Sequence, residues 1–199
     1  MIGAIVLAAG AGSRMGRDKA TLRVGTGGPT FLEAIEQTLG EAGVELVRVV
    51  IAPGRPHSSR HAVVNPNPAA GMLSSIHCGL HALVAPLDAV LIWPVDHPSV
   101  TTGTVTALVA AFEAAAAPIV VPTYEGRRGH PVLFAASTFH ELIAADPSQG
   151  ARAVVHAHAD RMELPVDDPG ILIDIDTPAD YADYRGHSPF SYKAPRIPL

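Results

Sequence analysis

Four charged residues stand where chemistry on a polyphosphate would need them. Arg14 and Lys19 lie in Leu7-Ala8-Ala9-Gly10-Ala11-Gly12-Ser13-Arg14-Met15-Gly16-Arg17-Asp18-Lys19, and Asp96 and Asp176 each follow an apolar run. Glycines leave backbone amides free to wrap phosphate oxygens, and two cations can neutralise the phosphates and a departing pyrophosphate. A dinucleotide fingerprint G-x-G-x-x-G would need Gly in place of Met15, and an acidic residue where Ile51-Ala52-Pro53-Gly54 stands. A P-loop would need Gly-Lys-Ser/Thr together, whereas Lys19 is separated from Gly16 and followed by Ala20. There remain a loop that surrounds a triphosphate and a flexible turn whose basic residues are merely solvated.

The carboxylates suit a hard cation. Mg²⁺ keeps several waters and needs only one or two protein carboxylates beside phosphate oxygens. Asp96 closes the apolar run Val90 to Val95 and precedes His97-Pro98; the competing reading is an Asp that caps the next turn. If Ile171 to Ile175 is extended, Asp174 and Asp176 project from one face, which allows either to reach a metal. Gly71, Ser74 and Ser75 sit at a helix start, where the hydroxyls can bond a base or ribose or simply cap a core helix. Arg127, Arg128 and His130 can hold a phosphate, or be the solvated tip of a hairpin. His77 and His81 have i, i+4 spacing, but Cys78 stands where a metalloprotease helix has Glu. His156 and His158 have no third ligand nearby in sequence, and no base marks Cys78 as a nucleophile, so none of these predicts a transition-metal or thiol site.

The elements that must position these groups alternate. Apolar β-branched runs at Ile2 to Ala8, Leu46 to Ala52, Ala89 to Pro94 and Ile119 to Pro122 read as strands buried on both faces. Helical periodicity marks Phe31 to Ala42, Met72 to Val84, Thr102 to Ala116, Ala136 to Ala145, Ala151 to His158 and Pro178 to Tyr184. Start signals are Thr101 and Thr102, Ser148, and Thr177-Pro178. This pattern predicts an α/β fold of βαβ units on a mostly parallel sheet. Gly54 to Gly71 reads as a loop over one face, and Gly186 to Leu199 as an irregular tail after a domain spanning 1–185.

Composition narrows the partners. With 48% hydrophobic residues in 199, the chain can bury a sizeable core. A net charge of -5 with 14 Lys+Arg leaves no basic face for a nucleic acid. Cys78 is the only cysteine, which excludes a disulfide framework. The run Ile2 to Ala9 is short for a signal peptide and has no basic residues before it, and no stretch can span a bilayer, so a cytoplasmic location is expected.

The opening stretch is similar to the L-A-A-G-x-G-x-R-M-G-x-x-K signature of nucleotidyltransferases that activate molybdopterin, sugars and isoprenoid precursors. Asp96-His97-Pro98 resembles their D-x-P motif, and Asp174-Ile175-Asp176-Thr177-Pro178-Ala179-Asp180-Tyr181 their D-I-D-T-P-x-D-Y. Gly71 to Leu80 resembles G-M-x-S-S-I/L-x-x-G-L, and Arg127 to Phe134 the R-x-G-H-P-V-L-F of the molybdenum cofactor cytidylyltransferase branch. The likeness runs from about Ile5 to Tyr184, with gaps at Gly25 to Gly28 and Ala52 to His61. It implies a single Rossmann-like three-layer domain that moves CMP from CTP to molybdopterin with Mg²⁺, releases pyrophosphate, and serves a recipient molybdoenzyme. It assigns Arg14 and Lys19 to catalysis; Leu7, Ala8, Ala9, Gly10, Gly12, Ser13, Gly71, Ser74 and Ser75 to the nucleotide; Arg127, Arg128 and His130 to the acceptor; and Asp96, Asp176 and Asp174 to the metal. Ala9, where guanylyl-transferring relatives tend to carry Gly, favours CTP over GTP. The rivals are a guanylyltransferase, an enzyme of sugar phosphates or phosphorylated small acids, and a non-catalytic nucleotide-binding maturation partner.

Overall fold

Four strands dominated by Val, Ile, Leu and Ala form the parallel side of the sheet: β1 (Ile2–Ala8), β2 (Leu46–Ile51), β3 (Ala62–Val64) and β4 (Ala89–Pro94). The computed structural model describes residues 1–55 and 59–186. Four further strands complete the sheet: β5 (Ile119–Tyr124), β6 (Arg127–Arg128), β7 (Val132–Ala135) and β8 (Met162–Pro165). Their order is β3-β2-β1-β4-β7-β5-β6, with β8 also paired to β5. Strand β7 lies antiparallel between β4 and β5, β6 turns back on β5, and the other pairs are parallel.

Helices cover both faces. They are α1 (Phe31–Glu41), α2 (Met72–Ala82), α3 (Thr102–Ala115), α4 (Phe139–Ala144), α5 (Ala151–Ala157) and α6 (Pro178–Gly186). Alternate residues of β1 divide between two cores, as the two-residue period of a strand requires. Ala4, Val6 and Ala8 pack with Phe31 and Ile35 of α1, Leu108 of α3 and Tyr184 of α6. Ile5, Leu7 and Ala9 pack with Leu73 and Ile76 of α2, Leu142 of α4 and Val154 of α5. The result is the expected Rossmann-like three-layer α/β domain with a mostly parallel sheet. Among the described residues no helix is long and apolar enough to cross a membrane.

Four local expectations need correction. The stretch read as a loop from Gly54 to Gly71 contains edge strand β3 and a 3₁₀ turn at Pro68–Ala70; residues 56–58 of that loop lie outside the described residues. Ile171 to Ile175 is not a strand: Pro169–Leu172 forms a 3₁₀ turn, because Asp168 accepts from the Gly170 amide at 2.8 Å and curls the chain. Ser148 does not cap α5, whose N-cap is Gly150. Ala136–Thr138 is a separate 3₁₀ turn before α4. The cap readings at Thr101 and Thr177 match the structure: Thr101 accepts from the Thr104 amide and Thr177 from that of Asp180. The tail read at Gly186 to Leu199 lies, beyond Gly186, outside the described residues.

Candidate active site

The carboxyl ends of β1 and β4 lie side by side, paired as far as Leu7 with Pro94, and the Val95 amide donates to Leu7 O at 3.1 Å. The glycine loop and Asp96 therefore leave the sheet at the same edge, where ligands of open α/β sheets bind. The loop is folded by its glycines: Gly12 has φ +61°, and a Cβ there would stand 2.5 Å from Arg17 O. The Gly16 amide closes the turn on Gly12 O at 2.8 Å. Asp18 then caps the 3₁₀ turn Lys19–Thr21 through the Ala20 amide. From beyond β2, Arg55 donates to Ala11 O at 2.9 Å and pairs with Asp18 at 3.4 Å.

A cavity of about 370 Å³ opens here. The glycine loop lines it through Leu7, Ala8, Ala9, Gly10, Gly12 and Ser13, and Arg14 and Lys19 reach it as well. Gly71, Ser75, Asp96 and Asp176 complete the lining that bears on the chemistry. Lys19 Nζ donates to Asp96 Oδ2 at 2.9 Å and also to Asp176 Oδ1, and Arg14 pairs with Asp176 Oδ2 at 2.7 Å. Burial works against the Lys19 charge, but the two carboxylates outweigh it and raise its pKa above the usual 10.5. Burial likewise opposes the Asp176 charge, and Lys19 and Arg14 overcome that to hold its carboxyl below the usual range.

The two carboxylate arms are fastened to each other. The Ile175 amide donates to Asp96 O at 3.1 Å, and Asp180 accepts from the Asp176 and Thr177 amides at 3.2 and 2.7 Å. Buried Asp168 accepts from the Thr101 amide, the hydroxyls of Thr101 and Thr104, and the Gly170 amide. Asp174 has a carboxylate oxygen within 4.8 Å of ligating atoms of Asp96 and His97. Asp174 is exposed as a residue, but its carboxyl is partly withdrawn from solvent, and that, together with the charges of Asp96 and Asp176, pushes its pKa up to about 6.

One family model, the MobA-like NTP transferase domain, matches residues 4–162. The chain belongs to that family. It is accordingly a nucleotidyltransferase, and a nucleoside triphosphate is its substrate. No curated protein matches it. Among solved structures it is similar to Rv0371c from Mycobacterium tuberculosis H37Rv, at 25% identity and TM-score 0.78 over 94% of this chain and 98% of that one. A manganese complex of Rv0371C gives 23% and 0.74 over 93% and 98%. Molybdopterin-guanine dinucleotide biosynthesis protein A from Archaeoglobus fulgidus gives 18% and 0.68 over 94% and 97%.

Not every residue singled out in this transferase's sequence meets the cavity. Ser74 is used within its own loop, where it donates to Gly71 O at 2.7 Å and accepts from Asn65 Nδ2 at 2.8 Å. Ser75 lines the cavity and takes a second bond from Asn65 Nδ2 at 3.0 Å. Arg127 and Arg128 are exposed on the β5–β6 hairpin and do not line the cavity, and Arg128 Nε donates to Glu163 at 2.8 Å. His130, also outside the lining, packs its ring 4.8 Å from that of His97, and burial with His97 nearby lowers its pKa to about 4. Sequence reading missed Asp18, Arg55, Asn65 and Asp168. The only local signal was for Asn65 and Asp168, polar residues next to Pro in turn-forming stretches.

Proposed function

We propose that the chain transfers CMP from CTP to molybdopterin, with Mg²⁺ as the metal. The observation that carries the reading is the convergence of Arg14, Lys19, Asp96 and Asp176 on a cavity lined by the glycine loop. A cation fits among the carboxylates: Asp96 and Asp176 already converge on the Lys19 ammonium, and Asp174 lies beside them, its pKa raised by burial and then by the charges of Asp96 and Asp176. Asp96 and Asp176, with Asp174 beside them, would hold the metal, which supplies charge neutralisation at the phosphates when bound. The manganese complex of Rv0371C is in keeping with such a site.

The amides from Ala9 to Ser13 cradle the triphosphate, and Gly71 and Ser75 flank the nucleoside. Arg14 and Lys19 turn from the carboxylates to the phosphates. An oxygen of the acceptor phosphate bonds to the α-phosphorus, the bond from that phosphorus to the α,β-bridging oxygen breaks, and pyrophosphate leaves with the electron pair. The acceptor is already ionised at neutral pH, so no strong general base is needed, and the protein's work is positioning and charge stabilisation. Arg127, Arg128 and His130 are the proposed acceptor contacts. Ala9 and the Gly129-His130-Pro131-Val132 segment favour CTP through their likeness to the cytidylyl branch.

Thermal shift with each of the four NTPs plus Mg²⁺ tests the base, since a ligand that binds only the folded state raises Tm by mass action. The largest rise is expected with CTP; a larger one with GTP refutes the cytidylyl assignment. Pyrophosphate release from CTP with molybdopterin should fall on the order of 10²-fold in Asp96→Ala, and unchanged release would overturn the metal assignment.

A further inference from the structure

Asp96 presents its two carboxylate oxygens to different surroundings. Oδ2 accepts from Lys19, which also bonds Asp176, so a cation of the chain's own already fills the place between those carboxylates. Oδ1 is 3.9 Å from Nε2 of His97, whose residue is only 8% exposed. Among the described residues Nε2 makes no hydrogen bond, and Nδ1 of the same ring is sealed from solvent without a partner. An oxygen of Asp174, an oxygen of Asp96 and a ring nitrogen of His97 form a group of three ligating atoms lying within 4.8 Å of one another.

We infer that Asp96, His97 and Asp174 form a divalent-cation site of their own, beside the place that Lys19 fills and sharing Asp96 with it, and that its imidazole nitrogen selects Mn²⁺ over Mg²⁺. The inference rests on the reading of this cavity as a metal-dependent transferase site and deepens it. With Nδ1 enclosed, Nε2 is the ring nitrogen that faces Asp96, and a metal there gives the buried ring a partner. An imidazole nitrogen with no hydrogen-bond partner can offer a metal its lone pair. Two carboxylates and one imidazole suit Mn²⁺, whereas Mg²⁺ favours an all-oxygen shell. Asp174, the exposed member, is free to close the small excess in spacing over a bonded set.

The test uses the full chain and Mn²⁺ alone, without nucleotide. Titration followed by EPR should show one bound ion per chain, and pulsed EPR should show nitrogen modulation from a coordinated imidazole. His97→Gln should remove the modulation and weaken Mn²⁺ binding by about tenfold or more, while Mg²⁺ competition changes far less. Asp174→Asn, an exposed substitution that keeps the ring, should weaken Mn²⁺ and retain the modulation, and Asp176→Asn should leave both in place. Bound Mn²⁺ without nitrogen modulation, or no Mn²⁺ binding in the unsubstituted chain, overturns the inference. Pyrophosphate release measured with Mg²⁺ and NTP on the same protein reports separately on the transferase reading.

Discussion

Lys19 holds an ammonium between two carboxylates that its own chain supplies, and it is also the cation that an incoming triphosphate would claim. Removing it therefore costs twice: Asp96 and Asp176 lose their counter-charge, and the phosphates lose theirs. Lys19→Met should lower kcat/KM for pyrophosphate release on the order of 10²-fold or more, with an unchanged circular dichroism spectrum. A variant within threefold of the parent would show that Lys19 only balances the carboxylates. Lys19, Arg14, Asp96 and Asp176 were legible in the sequence because each sits in a compact run whose neighbours dictate its setting. Arg55 was not: its bond to Ala11 spans 44 residues, and no local pattern announces a side chain that braces a distant backbone. His97 was passed over for a similar reason, since its partner Asp174 lies far along the chain.

Helix α2 can lie against β1 only because position 79 has no side chain. A Cβ on Gly79 would come within 2.5 Å of Ile5, a buried and branched neighbour with little freedom to yield. Gly79→Ala should destabilise the protein by about 1–3 kcal/mol in urea unfolding, and Ile5→Ala in the same chain should recover part of that loss. On the same face of the sheet, His158 bonds Glu141 of α4 and Asp160 beyond α5 at 3.0 Å each. Burial opposes its charge, but the two carboxylates prevail and raise its pKa above 6.5. A raised folded value means the stabilisation is present in full below the ordinary imidazole pKa and is lost as pH rises through the folded one. The stability difference between the parent and His158→Gln should thus shrink on going from pH 6 to pH 8.5, as urea midpoints would show; a difference that grows with pH would contradict the ion pairs. The long apolar strands and the periodic helices were readable because burial on two faces, or one, writes itself as a run or a stripe. Strands β3, β6 and β8 were not, being two to four residues long and partly exposed, so that pairing with a neighbour rather than composition makes them strands.

Across the whole molecule, Asp168 joins the two carboxylate arms a second time, beside the bond from the Ile175 amide to Asp96 O. It takes hydrogen bonds from Thr101 and Thr104 on the Asp96 side and from Gly170 on the Asp176 side. Asp168→Ala would strand several buried donors, and we expect a loss of about 2–4 kcal/mol in unfolding free energy, together with weaker nucleotide stabilisation in thermal shift. Full nucleotide response in a destabilised Asp168→Ala would mean that the arms are held elsewhere. The overall α/β plan was legible from alternation alone, while the antiparallel insertion of β7 between β4 and β5 was not, because order within a sheet is a matter of tertiary pairing. The contact between Lys19 and Asp176 spans 157 residues, from the first loop to the threshold of the last described helix. On the ribosome, then, the first strands and their helices emerge long before the second carboxylate does. Until residue 176 has emerged, the glycine loop lacks one of the two carboxylates that Lys19 bonds, and the ability to hold a metal-bound triphosphate waits on that residue.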